Sequence, residues 1–232
     1  MRISSSDLDA IRALDTCTVS NAIERLNGRL RNEGFVSGAL RCRFPSFKPM
    51  LGYAVTGRVR SSLPPMTGRC YYDRMDFWSY LASLPAPRVM VLQDVDPRLG
   101  FGAFVGEIHA TIGQALDCIG CVTNGAVRDL PAVQALGFHL FSGRVAVSHA
   151  YAHLIDFGDP VEIGGLKIRP GDLVHGDCHG VQTIPPEVAK RIPKEAERIL
   201  RLEETLKEFC RSPQFSLENL SAKLKQAATD CL

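Results

Sequence analysis

The sequence predicts an α/β domain with peripheral helices, and three observations carry that prediction. Between Tyr53 and Leu136, apolar runs of strand length alternate with stretches of helical period. Between Val161 and Ile184, short strands follow one another closely and are separated by glycine turns. From Glu187 onward the chain is charged and helical, with Ile192, Ile199, Leu202 and Leu206 along one face. A chain of 232 residues with 45% hydrophobic residues can bury a sizeable core. Residues 1–232 are therefore expected to form one domain, with 187–232 as a C-terminal helical extension.

Taken in order, Ser4 to Ser6 offer a cap for a first helix carrying Leu8, Ile11 and Leu14 at helical spacing. A second helix is expected over Val19–Leu26, with Ser20 and Asn21 in capping roles. Residues 27–47 show no sustained period and are expected to be loops with at most short strands. Tyr53 to Arg60 alternates with period two, as a strand does, and the segment Ser61–Gly68 with Pro64 and Pro65 breaks it. Asp73–Leu84 reads as a helix stopped by Pro85 and Pro87, and Val89–Gln93 as a buried strand. Asp94 and Asp96 follow that strand and are expected to cap its loop. Ile108–Leu116 is expected to be helical and Cys118–Thr123 a buried strand, with Asn124 and Gly125 forming a turn. Leu130–Leu136 has Pro131 in its first turn and Gly137 as its stop, the asymmetry of a helix. Phe138–Phe141 and Val145–Val147 read as two strands. Pro160 to Arg169 reads as two strands about Gly164-Gly165, and Pro170 to Asp172 as a turn. Leu173–His175 and Val181–Ile184 are strands joined by a tight connection over Gly176–Gly180. Pro213 to Leu232 is a second helix or a mobile tail, with Leu217, Leu220 and Leu224 as its apolar positions.

Composition narrows the function. A net charge of +2, with positive residues scattered along the chain, gives no nucleic-acid signature. No apolar run reaches the length of a membrane span, and MRISSSDLDAIRALDT lacks the apolar stretch of a signal peptide. A cytoplasmic protein with free thiols is expected from these features, despite eight cysteines. Cys118 and Cys121 form a C-x-x-C pair without a second pair at zinc spacing, and are read as small buried residues. His149 and His153 lie four apart but lack the glutamate of H-E-x-x-H. The glycines between Gly100 and Gly106 match neither a dinucleotide fingerprint nor a phosphate loop with its lysine.

One stretch carries chemistry. Gly106-Glu107-Ile108-His109 opens a helix, whose first-turn amides bind anions. The run Asn124 to Asp129 then brings Arg128 and Asp129 out of the core. Packed side by side, the two place a guanidinium and two carboxylates, Glu107 and Asp129, at that helix mouth. Such a set suits Mg²⁺ and a 2-keto acid. The same Arg-Asp dipeptide also fits an exposed surface pair or a helix cap, and both readings stand on residues alone.

The runs GEIHATIG, NGAVRDLPAVQALGFHLFSGRVAVS and VEIGGLKIRPGDLVHGDCHGVQTIP resemble the RraA-like family, which includes regulators of ribonuclease activity and class II 4-hydroxy-4-methyl-2-oxoglutarate aldolases. The resemblance covers most of the chain and implies a swivelling β/β/α layered fold. It also implies that Glu107, a spacer of twenty residues and Arg128-Asp129 form the aldolase signature. On that pattern Asp129 would hold Mg²⁺ (or Mn²⁺), Glu107 a water on that ion, and Arg128 the substrate. Gly106 and the amides of Ile108 and His109 would cradle the substrate carboxylate. The implied function is a metal-dependent lyase that cleaves a small 2-keto diacid through a pyruvate enolate, by retro-aldol or oxaloacetate decarboxylation. Lys167 is the one lysine between Lys48 and Lys190 and looks exposed beside its hairpin, which disfavours a Schiff base. The implied assembly is a homo-oligomer, trimer or hexamer, with a glutamate from a neighbouring subunit among Glu195, Glu197, Glu203 and Glu204. The second reading is a non-catalytic regulatory binder of the ribonuclease-inhibitor type. The chain departs from the aldolase pattern at His109, at Asn124 and at Cys178-His179.

Overall fold

The computed structural model describes residues 3–36, 38, 40–65 and 74–230. Cys70, Cys231, Asp73, Leu232 and the part of the proline-rich break over 66–68 lie outside these residues.

Strand β3 (Arg88–Asp94) shows how the sequence builds the layers. Its side chains alternate across the sheet, as a strand's must. Met90 and Leu92 enter one core with Phe77, Leu81, Val133 and Phe138. Val89 and Val91 enter a second core with Ile163, Leu166, Ile168 and Phe141. The first core is roofed by the helices α3 (Met75–Ser83), α4 (Glu107–Ala115) and α5 (Leu130–Ala135). The second is roofed by the hairpin of β8 (Val161–Ile163) and β9 (Leu166–Ile168). Helices, central sheet and covering hairpin are the three layers of the α/β fold that the sequence predicts.

The central sheet runs β1 (Arg41–Cys42), β6 (His139–Val145), β5 (Cys118–Val127), β3, β2 (Met50–Arg60), β10 (Leu173–Asp177), β11 (Gly180–Ile184). Two further strands join it: β4 (Ala103–Val105) on β5, and β7 (His153–Phe157) on β2. Strands β2, β3, β5 and β6 are mutually parallel, which requires crossovers, and α3, α4 and α5 supply them. A third core lies at the β10–β11 end, where α1 (Ser5–Arg12), α2 (Thr16–Arg25) and α6 (Ile192–Arg211) pack Ile11, Val19, Ile23, Ile192 and Ile199 against Leu51, Leu173 and Ile184. After α6, α7 (Leu217–Asp230) is a helix rather than a loose tail, yet Leu217 and Leu224 are exposed.

Ser4 caps α1, accepting the Asp7 amide at 3.1 Å, as expected. Four expectations are corrected. Helix α2 begins three residues early because Asp15, not Ser20 or Asn21, accepts the Thr18 amide at 2.8 Å. Burial raises the Asp15 carboxyl, but its bonds from the Thr18 amide and hydroxyl outweigh that and hold it below its ordinary value. Asn124 and Gly125 make no turn, for β5 runs on to Val127 and only shifts register between Thr123 and Ala126. The Asn124 side chain instead brackets β3, accepting from Asp94 N at 2.7 Å and donating to Asp94 O at 3.0 Å. The two strands expected over 138–147 are one, β6, and Val147 beyond it is fully exposed. Finally, α6 starts at Ile192, behind a short 3₁₀ turn over Ala189–Arg191.

Two histidines tie stability to pH. Burial holds His175 of β10 at about 4, below the ordinary 6.5, and burial together with the Arg12 charge does the same to His139 of β6. Both are neutral in the fold, whereas the unfolded chain takes up protons near 6.5. Their contribution is complete above pH 6.5 and is lost as pH falls towards 4, on the order of 3 kcal/mol for each. Denaturant titrations from pH 7 to pH 4.5 are expected to show that loss, and His175→Gln is expected to remove about half of it, leaving the His139 part. An unchanged slope in the variant would contradict the assignment.

Candidate functional site

Strand register assembles the site. β4 pairs in parallel with β5, Val105 opposite Val127, so the residues that leave the two strands, Gly106-Glu107 and Arg128-Asp129, emerge side by side. The Arg128 amide donates to Val105 O at 3.1 Å and fixes the pair in place. Gly106 is the N-cap of α4 and Glu107 its first residue. Asp129 is the N-cap of α5 and sits in the left-handed region at φ 58°, ψ 36°. A non-glycine residue there costs about 1 kcal/mol, and aspartate is among those that tolerate it.

The contacts are close. Asp129 Oδ2 accepts the Glu107 amide at 3.1 Å, and Arg128 Nε lies 3.3 Å from the same oxygen. Asp129 thus satisfies one open amide of α4 from outside the helix, where negative charge is also favoured by the dipole. Arg128 and Asp129 are both partly open to solvent, with side-chain exposures of 27% and 36%. Glu107 and Ile108 are exposed on the first turn of α4. The first i to i−4 bond of α4 is donated by Ala110 to Gly106 O, so the Ile108 amide belongs to the open turn.

Gly106 has a steric reason to be glycine. A Cβ there would lie 2.4 Å from Asp129 Oδ2 and 3.0 Å from Arg128 Cγ. Gly106→Ala is expected to displace the Asp129 carboxylate and lower activity by about 10²-fold while the cores stay intact, since small misplacements at a reacting centre cost that much. Wild-type activity in that variant would show that the Asp129 position is unimportant.

His109 belongs to the site through its backbone alone. Its side chain is 1% exposed, with ring centroids 4.6 Å from Phe104 and 5.9 Å from Trp78, so it serves the core in place of an apolar residue. Asp94 and Asp96 are caps, as expected. Asp94 accepts the amides of Gly100 and Asp96, and Asp96 accepts the amides and hydroxyls of Ser61 and Ser62. Cys118 and Cys121 are buried and their thiols pushed up, Cys118 to about 11, by that burial, which leaves them inert. His149 Nδ1 lies 2.8 Å from Ala150 O and His153 Nδ1 2.7 Å from Tyr151 O, each serving its own loop. Of the four glutamates on α6, Glu195 is buried against Arg25 at 2.7 Å, Glu197 pairs with Arg201 and Glu204 with Lys207, while Glu203 is exposed.

The donor set fits a hard divalent ion. Asp129 and Glu107 offer carboxylate oxygens on adjoining backbones, and Mg²⁺ is commonly held by one or two carboxylates with water completing its shell. Among the described residues, a second cluster was not singled out from sequence: Asp177, Cys178 and His179 bring three potential metal donors within 4.8 Å of one another. Asp177 is anchored by Thr16, whose amide and hydroxyl donate to it at 2.8 and 2.7 Å. Burial raises its carboxyl, but the bonds from Thr16 and His179 more than offset that and keep it below its ordinary value.

Comparison with known proteins bears on the whole arrangement. A family model described as RraA-like, Aldolase/RraA, matches residues 16–182. A putative 4-hydroxy-4-methyl-2-oxoglutarate aldolase from Halalkalibacterium halodurans is 32% identical over 97 residues, 41% of this chain and 46% of that protein. The chain spans less than half the length of the curated relatives it matches. Among solved structures, an uncharacterized protein from Pseudomonas syringae pv. tomato superposes with a TM-score of 0.73 at 24% identity, over 96% of this chain and 95% of that one. RraAS2 of Streptomyces coelicolor, described as an unusual member of the RNase ES inhibitor RraA family, gives a TM-score of 0.70 at 20% identity, over 89% and 99%. At these identities the structural likeness establishes the fold.

Proposed function

Since this chain belongs to the RraA-like family, we propose that it is a divalent-metal-dependent carbon–carbon lyase acting on a small 2-keto diacid, with Glu107, Arg128 and Asp129 as its site. The observation that carries the reading is the placement of Glu107, Arg128 and Asp129 side by side at the open N-terminus of α4, enforced by the Val105–Val127 register, with the Asp129 carboxylate on both the Glu107 amide and the Arg128 guanidinium.

Each residue has a task that its position supports. Asp129, with Glu107 beside it, would hold Mg²⁺ or Mn²⁺, and the ion when bound supplies Lewis-acid polarisation of the keto group. Arg128 has Nε beside Asp129, and the other edge of its planar fork serves the carboxylate and carbonyl oxygens of the substrate. Its fixed positive charge favours the enolate that either retro-aldol cleavage or decarboxylation produces. The Glu107 amide is already given to Asp129, so the carboxylate cradle falls to the amides of Ile108 and His109, with Gly106 keeping the approach clear. A Schiff-base lysine is not required for this chemistry.

A homo-oligomer, trimer or hexamer, is part of the proposal. Exposed Ile108 lies on the first turn of α4 and exposed Val145 opposite Val127, and such residues suit burial against a second copy. A monomer by light scattering would remove that part. No helix among the described residues is long and apolar enough to cross a membrane.

Oxalate, a planar mimic of the pyruvate enolate, tests the site. Calorimetry is expected to show binding that requires Mg²⁺ or Mn²⁺ and is lost in Arg128→Ala. Metal-independent binding, or binding unaffected by that substitution, would overturn the assignment.

A further inference from the structure

The turn between β10 and β11 holds two residues, Cys178 and His179, and is closed by Asp177 opposite Gly180. Gly180 at φ +141° lets so short a connection close. The turn gathers three consecutive donors: His179 Nδ1 lies 3.0 Å from Asp177 Oδ1 and 3.5 Å from Cys178 Sγ. Nitrogen, sulfur and oxygen donors around a tetrahedral zinc, at roughly 2.0–2.3 Å from the ion, stand about 3.3–3.8 Å from one another. Two of the three donor pairs are already close to that spacing, and all three donors lie within 4.8 Å of one another.

We propose that Asp177, Cys178 and His179 form a binding site for a borderline-soft divalent cation of the Zn²⁺ class, separate from the hard-ion site at Asp129. Three features prepare it. Asp177 is held rigidly, with Thr16 N on Oδ2 and Thr16 Oγ1 and His179 N on Oδ1. Cys178 and His179 are exposed, so a hydrated ion reaches them without opening the fold. A hollow of about 290 Å³ adjoins the turn, lined by Thr16, Cys17, Ser20, Glu24 and His179 among others, and leaves room for the fourth ligand, a water or a small anion.

Thiolate and imidazole select against Mg²⁺ and for zinc-like ions. Binding takes the proton from the Cys178 thiol, which passes to solvent. The neutral His179 ring binds through Nδ1 with its proton on Nε2, so the cation takes the place of the hydrogen between His179 and Asp177. Affinity therefore falls as pH is lowered.

Co²⁺ is the probe, because a thiolate ligand gives it an intense near-ultraviolet charge-transfer band that oxygen ligands do not. Titration of the full chain under reducing conditions is expected to show one equivalent bound with that band, displaced by Zn²⁺. Cys178→Ser is expected to abolish the band and His179→Ala to weaken binding at least tenfold, both variants keeping the wild-type circular dichroism. Asp129→Asn is expected to leave the band intact, so failure of this site and failure of the lyase site are read separately. A wild-type protein without the band, or a band that survives Cys178→Ser, overturns the proposal.

Discussion

Asp129→Asn is expected to yield a folded protein whose turnover falls at least ~10³-fold, because an amide cannot replace a charged ligand to the cation. The substitution isolates charge from shape. Asparagine tolerates the left-handed backbone of residue 129 as well as aspartate does, and its amide oxygen can still accept the Glu107 amide. Thermal unfolding within a few degrees of wild type is therefore expected. Asp129→Gly sharpens the contrast: it removes the side chain but relieves a φ of 58°, so it gives up one hydrogen bond and recovers about 1 kcal/mol of backbone strain. Near-wild-type stability without activity would mean that position 129 accepts strain for the sake of its carboxylate. Substantial turnover in Asp129→Asn would show that the carboxylate is only a helix cap.

Arg128→Lys is expected to lose about 10²-fold in kcat/KM, and Arg128→Ala about 10³-fold. Lysine keeps the charge but not the planar fork that holds two oxygens at once. If Arg128 acts on the enolate as well as on the ground-state carboxylate, the loss divides between kcat and KM. A change confined to KM would reduce its role to binding. The fold is expected to persist in both variants, since the side chain is part-exposed and its one close partner is the neighbouring Asp129.

Periodicity made the layers legible. The alternation of Val89, Met90, Val91 and Leu92 distributes them between two cores, and the Gly164-Gly165 hairpin lies where its glycines at φ 56° and 82° demand. In the strands, local propensity was overridden by pairing. Asn124-Gly125 has turn chemistry, but β5 is paired with β3 and β6 up to Thr123 and with β4 and β6 from Ala126, so the strand continues through it. β4 is only three residues long, too short to show a period, and exists because β5 offers it an edge.

The site was legible for a different reason. Residue types alone left Glu107, Arg128 and Asp129 balanced between a site and a surface pair or cap, and the resemblance to the RraA-like family supplied their spacing signature; their juxtaposition depends on the Val105–Val127 register, which no local pattern reveals. Cys178-His179 stood out only as a departure from the aldolase pattern and not as part of a donor cluster, because the partner that anchors Asp177, Thr16, lies 161 positions away. His109 stood out as a departure where the family pattern has an apolar residue, and its ring takes that residue's place in the core, since nothing in the sequence tells that Phe104 and Trp78 close around it.

The central claim is metal-dependent cleavage at Asp129, and pyruvate release tests it most directly. Purified protein is incubated with 4-hydroxy-4-methyl-2-oxoglutarate and, separately, with oxaloacetate, first with Mg²⁺ or Mn²⁺, then with EDTA, then with the metal restored. Pyruvate is expected from at least one substrate, to be lost with chelator and to return with metal. No metal-dependent pyruvate from either substrate would contradict it and leave the regulatory, non-catalytic reading in its place.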